Sequence, residues 1–189
     1  MENIKDKQQL SELISRSLGK IRILELTDRL HYSPEFDVAN LIAITFSPQK
    51  EVAFRATWLL ENLFLLQPDK YISCVDELVV KFPLLKNEGS LRHYLRIFIL
   101  LTDKKAEKQI AQKIVAVDFN EVISRCFDML IDDESPIALK VFAMELLYNL
   151  RHREDWIKDI LISQIQILMD GGGPAIRARG KSIWSKLKR

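Results

Sequence analysis

Four stretches of this chain repeat one apolar pattern, and that repetition limits the fold more than any other feature. "VAFRATWLLENL" (52–63) and "LKVFAMELLYNL" (139–150) each carry an apolar residue, a small one four later, an apolar pair and a closing Asn-Leu. Val52, Ala56, Leu59, Leu60 and Leu63 thus correspond to Leu139, Ala143, Leu146, Leu147 and Leu150. "IRARGKSIWSKL" (176–187) repeats the pattern with Ile176, Gly180, Ile183, Trp184 and Leu187. A weaker copy, "LRHYLRIFILLT" (91–102), keeps Leu91, Leu95, Phe98 and Ile99 in register, with Leu95 where the others hold a small residue. Apolar residues three and four apart place one buried stripe along a helix. A small residue within that stripe marks a position where a neighbouring helix passes closely.

The copies begin 39, 48 and 37 residues apart, and each follows another apolar helix, at 36–46, 69–82, 119–131 and 155–169. The longest interval contains "KKAEKQIAQKIVAVDF", which predicts an extra helix, and two more are expected near 3–17 and 20–32. Alternating β-branched runs and Asn-Gly or Asp-Gly hairpin turns are nearly absent. Ser33-Pro34, Ser47-Pro48 and Ser135-Pro136 read as N-caps followed by Pro in the first turn, and Gly173-Pro174 as a fourth such start. The fold class is therefore all-α.

Helix pairs recurring at this period are the signature of a stacked α-solenoid, in which neighbouring pairs bury each other's apolar faces. An ordinary compact helical bundle is the alternative. The pattern resembles the HEAT and armadillo repeat families over roughly residues 36–189. That resemblance implies a right-handed superhelix of about four to five antiparallel pairs in a single domain, 1–189. The units would be an N-terminal cap pair at 1–34 and repeats at 35–68, 69–103, 104–153 and 154–189. Those families often carry an Asp and Arg ladder between repeats. The matching acidic positions here are not consistent, which leaves HEAT versus armadillo open.

Composition excludes several classes. Hydrophobic residues make up 48% of the 189 and charged residues 29%, a balance that supports a core and rules out a disordered chain. No apolar run approaches the ~18 residues of a membrane span. The polar start "MENIKDKQQL" does not read as a signal peptide. Cys74 and Cys126 lie among apolar helical residues with no metal-type spacing and read as reduced core residues, so the expected location is cytoplasmic. Net charge is only +2, but residues 135–189 hold ten Lys/Arg against five Asp/Glu.

Catalytic chemistry finds little support. Gly180-Lys181-Ser182 ends like a phosphate-binding loop, yet the glycine required five residues before Gly180 is Ala175, and Pro174 removes a backbone donor. Gly180 instead occupies the small-residue position of the repeat. His31, His93 and His152 fall in no metal or nucleophile motif; His93, between Arg92 and Arg96, reads as a partly exposed helix histidine. Asp132-Asp133-Glu134 precedes a helix start and suits its dipole. The all-helical fumarase and adenylosuccinate lyase superfamily carries a Ser-Ser-x-Met-Pro-x-Lys-x-Asn loop that does not occur here. The chain is read as a non-enzyme with no cofactor and no metal.

One residue beyond the first apolar position of the four copies stand Ala53, Arg92, Lys140 and Arg177, and four further on Thr57, Arg96, Met144 and Lys181, whose cations form a basic stripe. Second helices of HEAT-like pairs usually line the concave side, so the resemblance implies that this basic stripe borders an inner groove. Trp58 and Tyr94 fall off the main apolar stripe and are candidate contacts for a peptide. The expected function is a helical-repeat scaffold binding a protein or peptide of acidic or amphipathic character. The alternative is nucleic-acid binding, by resemblance to the DNA-alkylation-repeat proteins. In a purely structural reading, the same cations pair with carboxylates of adjacent repeats and the aromatics are buried between helices.

Overall fold

The structure, a computed structural model, describes residues 7–16 and 19–188. Two compact units, Met1–Ile97 and Phe98–Arg189, divide the chain. Every regular element among the described residues is helical. The first unit holds α1 (Lys7–Ser15), α2 (Lys20–Tyr32), α3 (Val38–Ile44), α4 (Lys50–Leu66), α5 (Pro68–Tyr71) and α6 (Val75–Lys81). Helix α7 (Glu88–Thr102) crosses the boundary. The second unit continues with α8 (Lys108–Val115), α9 (Asn120–Ile131), α10 (Ile137–Leu150), α11 (Asp155–Gly171) and α12 (Pro174–Leu187). The helix expected at 3–17 is seen from Lys7 to Ser15; residues 1–6, 17 and 18 lie outside the described residues.

Each unit packs as the repeat pattern requires. In the first, α1 lies against α3 and α2 against α4; in the second, α9 lies against α11 and α10 against α12. Within each unit, these first helices share one layer and these second helices another. The recurrent stripe is the core: Val52, Ala56, Leu59, Leu60 and Leu63 are buried on α4, as are Leu139, Ala143, Leu146, Leu147 and Leu150 on α10. On α12 the same register buries Ile176, Gly180, Ile183 and Leu187.

Gly180 is a close-approach glycine. A Cβ there would stand 2.9 Å from Met169 Cγ and 3.0 Å from its sulfur, with Ile165 Cγ2 at 3.3 Å. Helix α12 reaches α11 at that distance only because the side chain is absent.

Three local expectations change. Ser33 ends α2, and α3 is capped instead by Asp37, whose carboxylate accepts from Ala39 N–H at 2.9 Å. Ser47 precedes the N-cap Gln49, and Pro136 is itself the N-cap of α10. A residue before proline is held extended, so each Ser-Pro pair stays outside the helix that follows it. Only Gly173-Pro174 behaves as expected, with Gly173 at the N-cap and Pro174 in the first turn. Asp132 caps the end of α9 and accepts from Glu134 N–H and the Ser135 hydroxyl, so it shapes a turn rather than facing a helix dipole.

The helix expected at 69–82 is broken into α5, a 3₁₀ turn (Ile72–Cys74), α6 and a second 3₁₀ turn (Phe82–Leu84). Tyr71 ends α5 because its buried hydroxyl is hydrogen-bonded to His31 Nδ1 of α2 at 2.9 Å, while Lys70 donates to the His31 carbonyl. Tertiary contacts to α2 thus win over helix continuation.

Candidate partner-binding site

Many of the chain's cations are engaged by the fold, and identifying them isolates those that are not. Arg55 on α4 donates to the carbonyls of Ile14 and Ser15 at 3.2 and 3.0 Å, satisfying the orphan end of α1. Arg153 does the same for α8, donating to the carbonyls of Ile114 and Val117 while its guanidinium lies 4.9 Å from the Phe119 ring centre. On α12, Arg179 pairs with Glu145 of α10. Arg151 donates to the Tyr148 carbonyl and lies over its ring, with Lys186 5.4 Å from the same ring centre.

The predicted stripe residues divide against that background. Arg96 is paired though exposed: its guanidinium is 2.8 Å from Glu61 Oε1 of α4. Lys140 on α10 is buried, and it forms no ion pair among the described residues. Arg92 on α7 and Arg177 and Lys181 on α12 are exposed and have no ion-pair partner among the described residues. Arg177 and Lys181 are four apart and so present their charges on one side of α12.

The aromatic candidates separate as well. Tyr94 is fully buried, its hydroxyl 2.9 Å from Thr45 Oγ1, and burial pushes its ionisation far above the ordinary range. It is a core residue and not a partner contact. Trp58 is half-buried on α4, stacked nearly parallel to the His93 ring at 6.4 Å and next to Phe54 at 6.0 Å. One face of its indole is therefore supported from within.

Beneath Trp58 is a polar cluster that helix periodicity did not reveal. His93 is buried, not partly exposed: its Nδ1 is hydrogen-bonded to Glu61 Oε2, and Nε2 has no partner among the described residues. Glu61 is buried too and holds both His93 and Arg96. The sequence clue was that Glu61 lies inside the apolar run of α4, a position where a carboxylate needs a partner. A recess of about 410 Å³ elsewhere in the first unit is lined by Thr45, Ser47, Lys50, Leu85, Lys86 and Asn87. Its two lysines and the adjoining helix starts favour anions, but Glu51 and Glu88 in those first turns oppose them.

Among the described residues no group of three or more His, Cys, Asp or Glu is placed to hold a metal ion, and no helix is long and apolar enough to cross a membrane. Both cysteines are free; burial raises the thiol pKa of each, and Cys126 is fully enclosed.

A comparison with curated proteins finds no match to the chain. The family model described as a HEAT repeat domain matches residues 8–187, nearly the whole of the described chain. The chain belongs to the HEAT-repeat family.

Proposed function

We propose that this helical-repeat protein is a non-enzymatic scaffold that holds a protein or peptide partner of acidic or amphipathic character on the faces presented by its second helices. The observation that carries this reading is the contrast between paired and spare cations. Arg96 and Arg179 are engaged by Glu61 and Glu145, whereas Arg92, Arg177 and Lys181, on the same two helices, stand exposed with no carboxylate partner among the described residues. Cations that served only to join helices would be expected to have partners. Trp58 adds a supported aromatic surface on α4 of the kind that anchors peptides.

The test uses a fluorescein-labelled amphipathic peptide of Leu and Glu, about four helical turns long, and a random-sequence DNA duplex at ~50 mM salt. The expected result is an anisotropy change with the peptide that is lost in an Arg177→Glu, Lys181→Glu variant of unchanged helicity and melting. Parent and variant binding the peptide equally would remove the reading. Tighter binding of the duplex than of the peptide, with affinity falling steeply in salt, would replace it with nucleic-acid recognition.

A further inference from the structure

Helix α11 has two apolar faces. Ile157, Leu161 and Ile165 are fully buried against the helices beside it. On the other side, Trp156, Ile160 and Ile167 remain 45%, 43% and 64% exposed. With Ser163 between them these residues follow i, i+4, i+7 and i+11, which sets them in one straight stripe along the helix. The stripe is not confined to α11. The Trp156 ring centre lies 5.6 Å from that of Phe127 on α9, and Ile131, four residues after Phe127 on the same side, is 61% exposed. A helix of a soluble protein normally turns charge to solvent on the side opposite its core. Here an exposed apolar stripe runs beside that polar side of α11.

The rim is acidic. Asp159 and Asp170 each stand three residues after a stripe member, on one flank of it, and Asp128 follows Phe127 on α9. All three are exposed; Asp159 and Asp170 have no ion-pair partner among the described residues, while Asp128 lies in the field of Arg125 on the same helix. Lys158 projects to a different side of the helix, near that of Ile165.

We infer that this seam of α9 and α11 is a second docking surface, whose occupant is a basic amphipathic helix of another protein. An apolar stripe two helices wide accepts the apolar face of a helix in a groove. The rim aspartates select lysine and arginine on the flanks of that helix and repel acidic ones. The same aspartates oppose anionic phospholipid headgroups and phosphate backbones, which distinguishes the seam from a membrane-seating face. The seam differs in helix, residues and charge from the second-helix faces, so a scaffold with both would accept partners of opposite charge.

The probe is a fluorescein-labelled amphipathic peptide of Leu and Lys, about four turns long, titrated against the full chain at about 0.1 M salt. Binding is expected for this peptide and not for a scrambled peptide of the same composition. Ile160→Glu should weaken it about tenfold or more. Asp159→Lys with Asp170→Lys should lose the Leu/Lys peptide and gain the Leu/Glu one, and Arg177→Glu with Lys181→Glu should leave Leu/Lys binding unchanged. Circular dichroism should match the parent throughout, since the substituted side chains are exposed. Equal binding of the scrambled peptide, or a folded Ile160→Glu that binds like the parent, would overturn the inference. So would self-association in sedimentation that Ile160→Glu abolishes, which assigns the seam to a second copy. Retention on phosphatidylserine vesicles lost in the same variant would assign it to a membrane.

Discussion

Glu61 of α4 and His93 of α7, thirty-two residues apart, share a hydrogen bond inside the first unit, and both are almost completely enclosed. Arg96 completes the site from its edge at 2.8 Å, its own side chain nearly half exposed. Two helices that bury mostly hydrocarbon are thereby fixed in one register by a carboxylate shared between His93 and Arg96.

Removing that carboxylate is expected to be the most damaging polar change in the unit. Glu61→Ala leaves His93 with neither ring nitrogen bonded, because Nε2 is already unpartnered. The expected loss is about 3 kcal/mol, typical of breaking a buried ionic cluster from one side. Arg96→Ala should cost about 1 kcal/mol, since its charge is well solvated. Replacing Glu61 and His93 together by Leu should recover most of the loss, because no buried polar group is then left unpaired. Urea midpoints of the three variants decide this, and a double variant no better than Glu61→Ala would refute it.

His31 makes stability depend on pH. Burial, and then the nearby Lys70 charge, holds its imidazole below the ordinary value of 6.5, against a weaker opposite pull from Asp28. The unfolded chain accepts a proton near pH 6.5 that the folded chain accepts only at lower pH. Unfolding therefore takes up a proton in that window, and stability falls as the pH drops through it. The facing group, the Tyr71 hydroxyl, stays neutral because burial pushes it up to about 12. The urea midpoint is expected to fall on acidification from about pH 6.5, and more steeply in the parent than in His31→Gln. Parallel profiles for the two proteins would assign the slope to other groups.

Gly180 and Met169 are coupled through one contact. Adding a Cβ at Gly180 gains roughly 1 kcal/mol of helix propensity but drives it into Met169 at 2.9 Å. Gly180→Ala is expected to be destabilising by about 1 kcal/mol overall, the overpacking term outweighing the propensity gain. In a Met169→Ala background the same substitution should turn stabilising, giving an interaction energy of about 2 kcal/mol in a double-mutant cycle. Additive single effects would mean that α11 and α12 adjust without using that contact.

Much of the fold was legible because the recurrent stripe is itself the core. Positions such as Leu59, Leu146 and Ile183 are buried where the period places them. The close approach at Gly180 was also readable, since a glycine in the small-residue position has a packing reason. Cap positions were less so, because Ser-Pro pairs suit either a helix start or an extended entry, and backbone sterics before proline decide between them. The site was read only in part. Periodicity places Arg92, Arg96, Arg177 and Lys181 on their helices but cannot say which cation meets a glutamate on a neighbour. Lys140 and Tyr94 show the same limit, since register along one helix does not say how deeply the next one covers it. The α11 seam left a sequence signal, an apolar content too broad for one buried face, that a search for a single stripe passes over.

Arg153 ties two elements that sequence places far apart. It stands between α10 and α11, yet its guanidinium serves the end of α8, donating to the carbonyl of Ile114, which also accepts from Val117 N–H, and to that of Val117. Stacking on Phe119 fixes the plane of the group while burial lowers its pKa against a weaker upward pull from Asp118. Two charge-assisted bonds to the carbonyls that close α8 are worth about 2 kcal/mol at a half-buried position. Arg153→Met should lose about that much while keeping the aliphatic packing, and the loss should be local. Amide exchange across residues 108–119 is expected to speed up while the amides of α12 keep the parent's protection. Arg153→Lys should restore little, since an ammonium lacks the planar fork that reaches both carbonyls from above the ring. Uniform acceleration across the second unit would instead mean that Arg153 acts through global stability and not as the cap of α8.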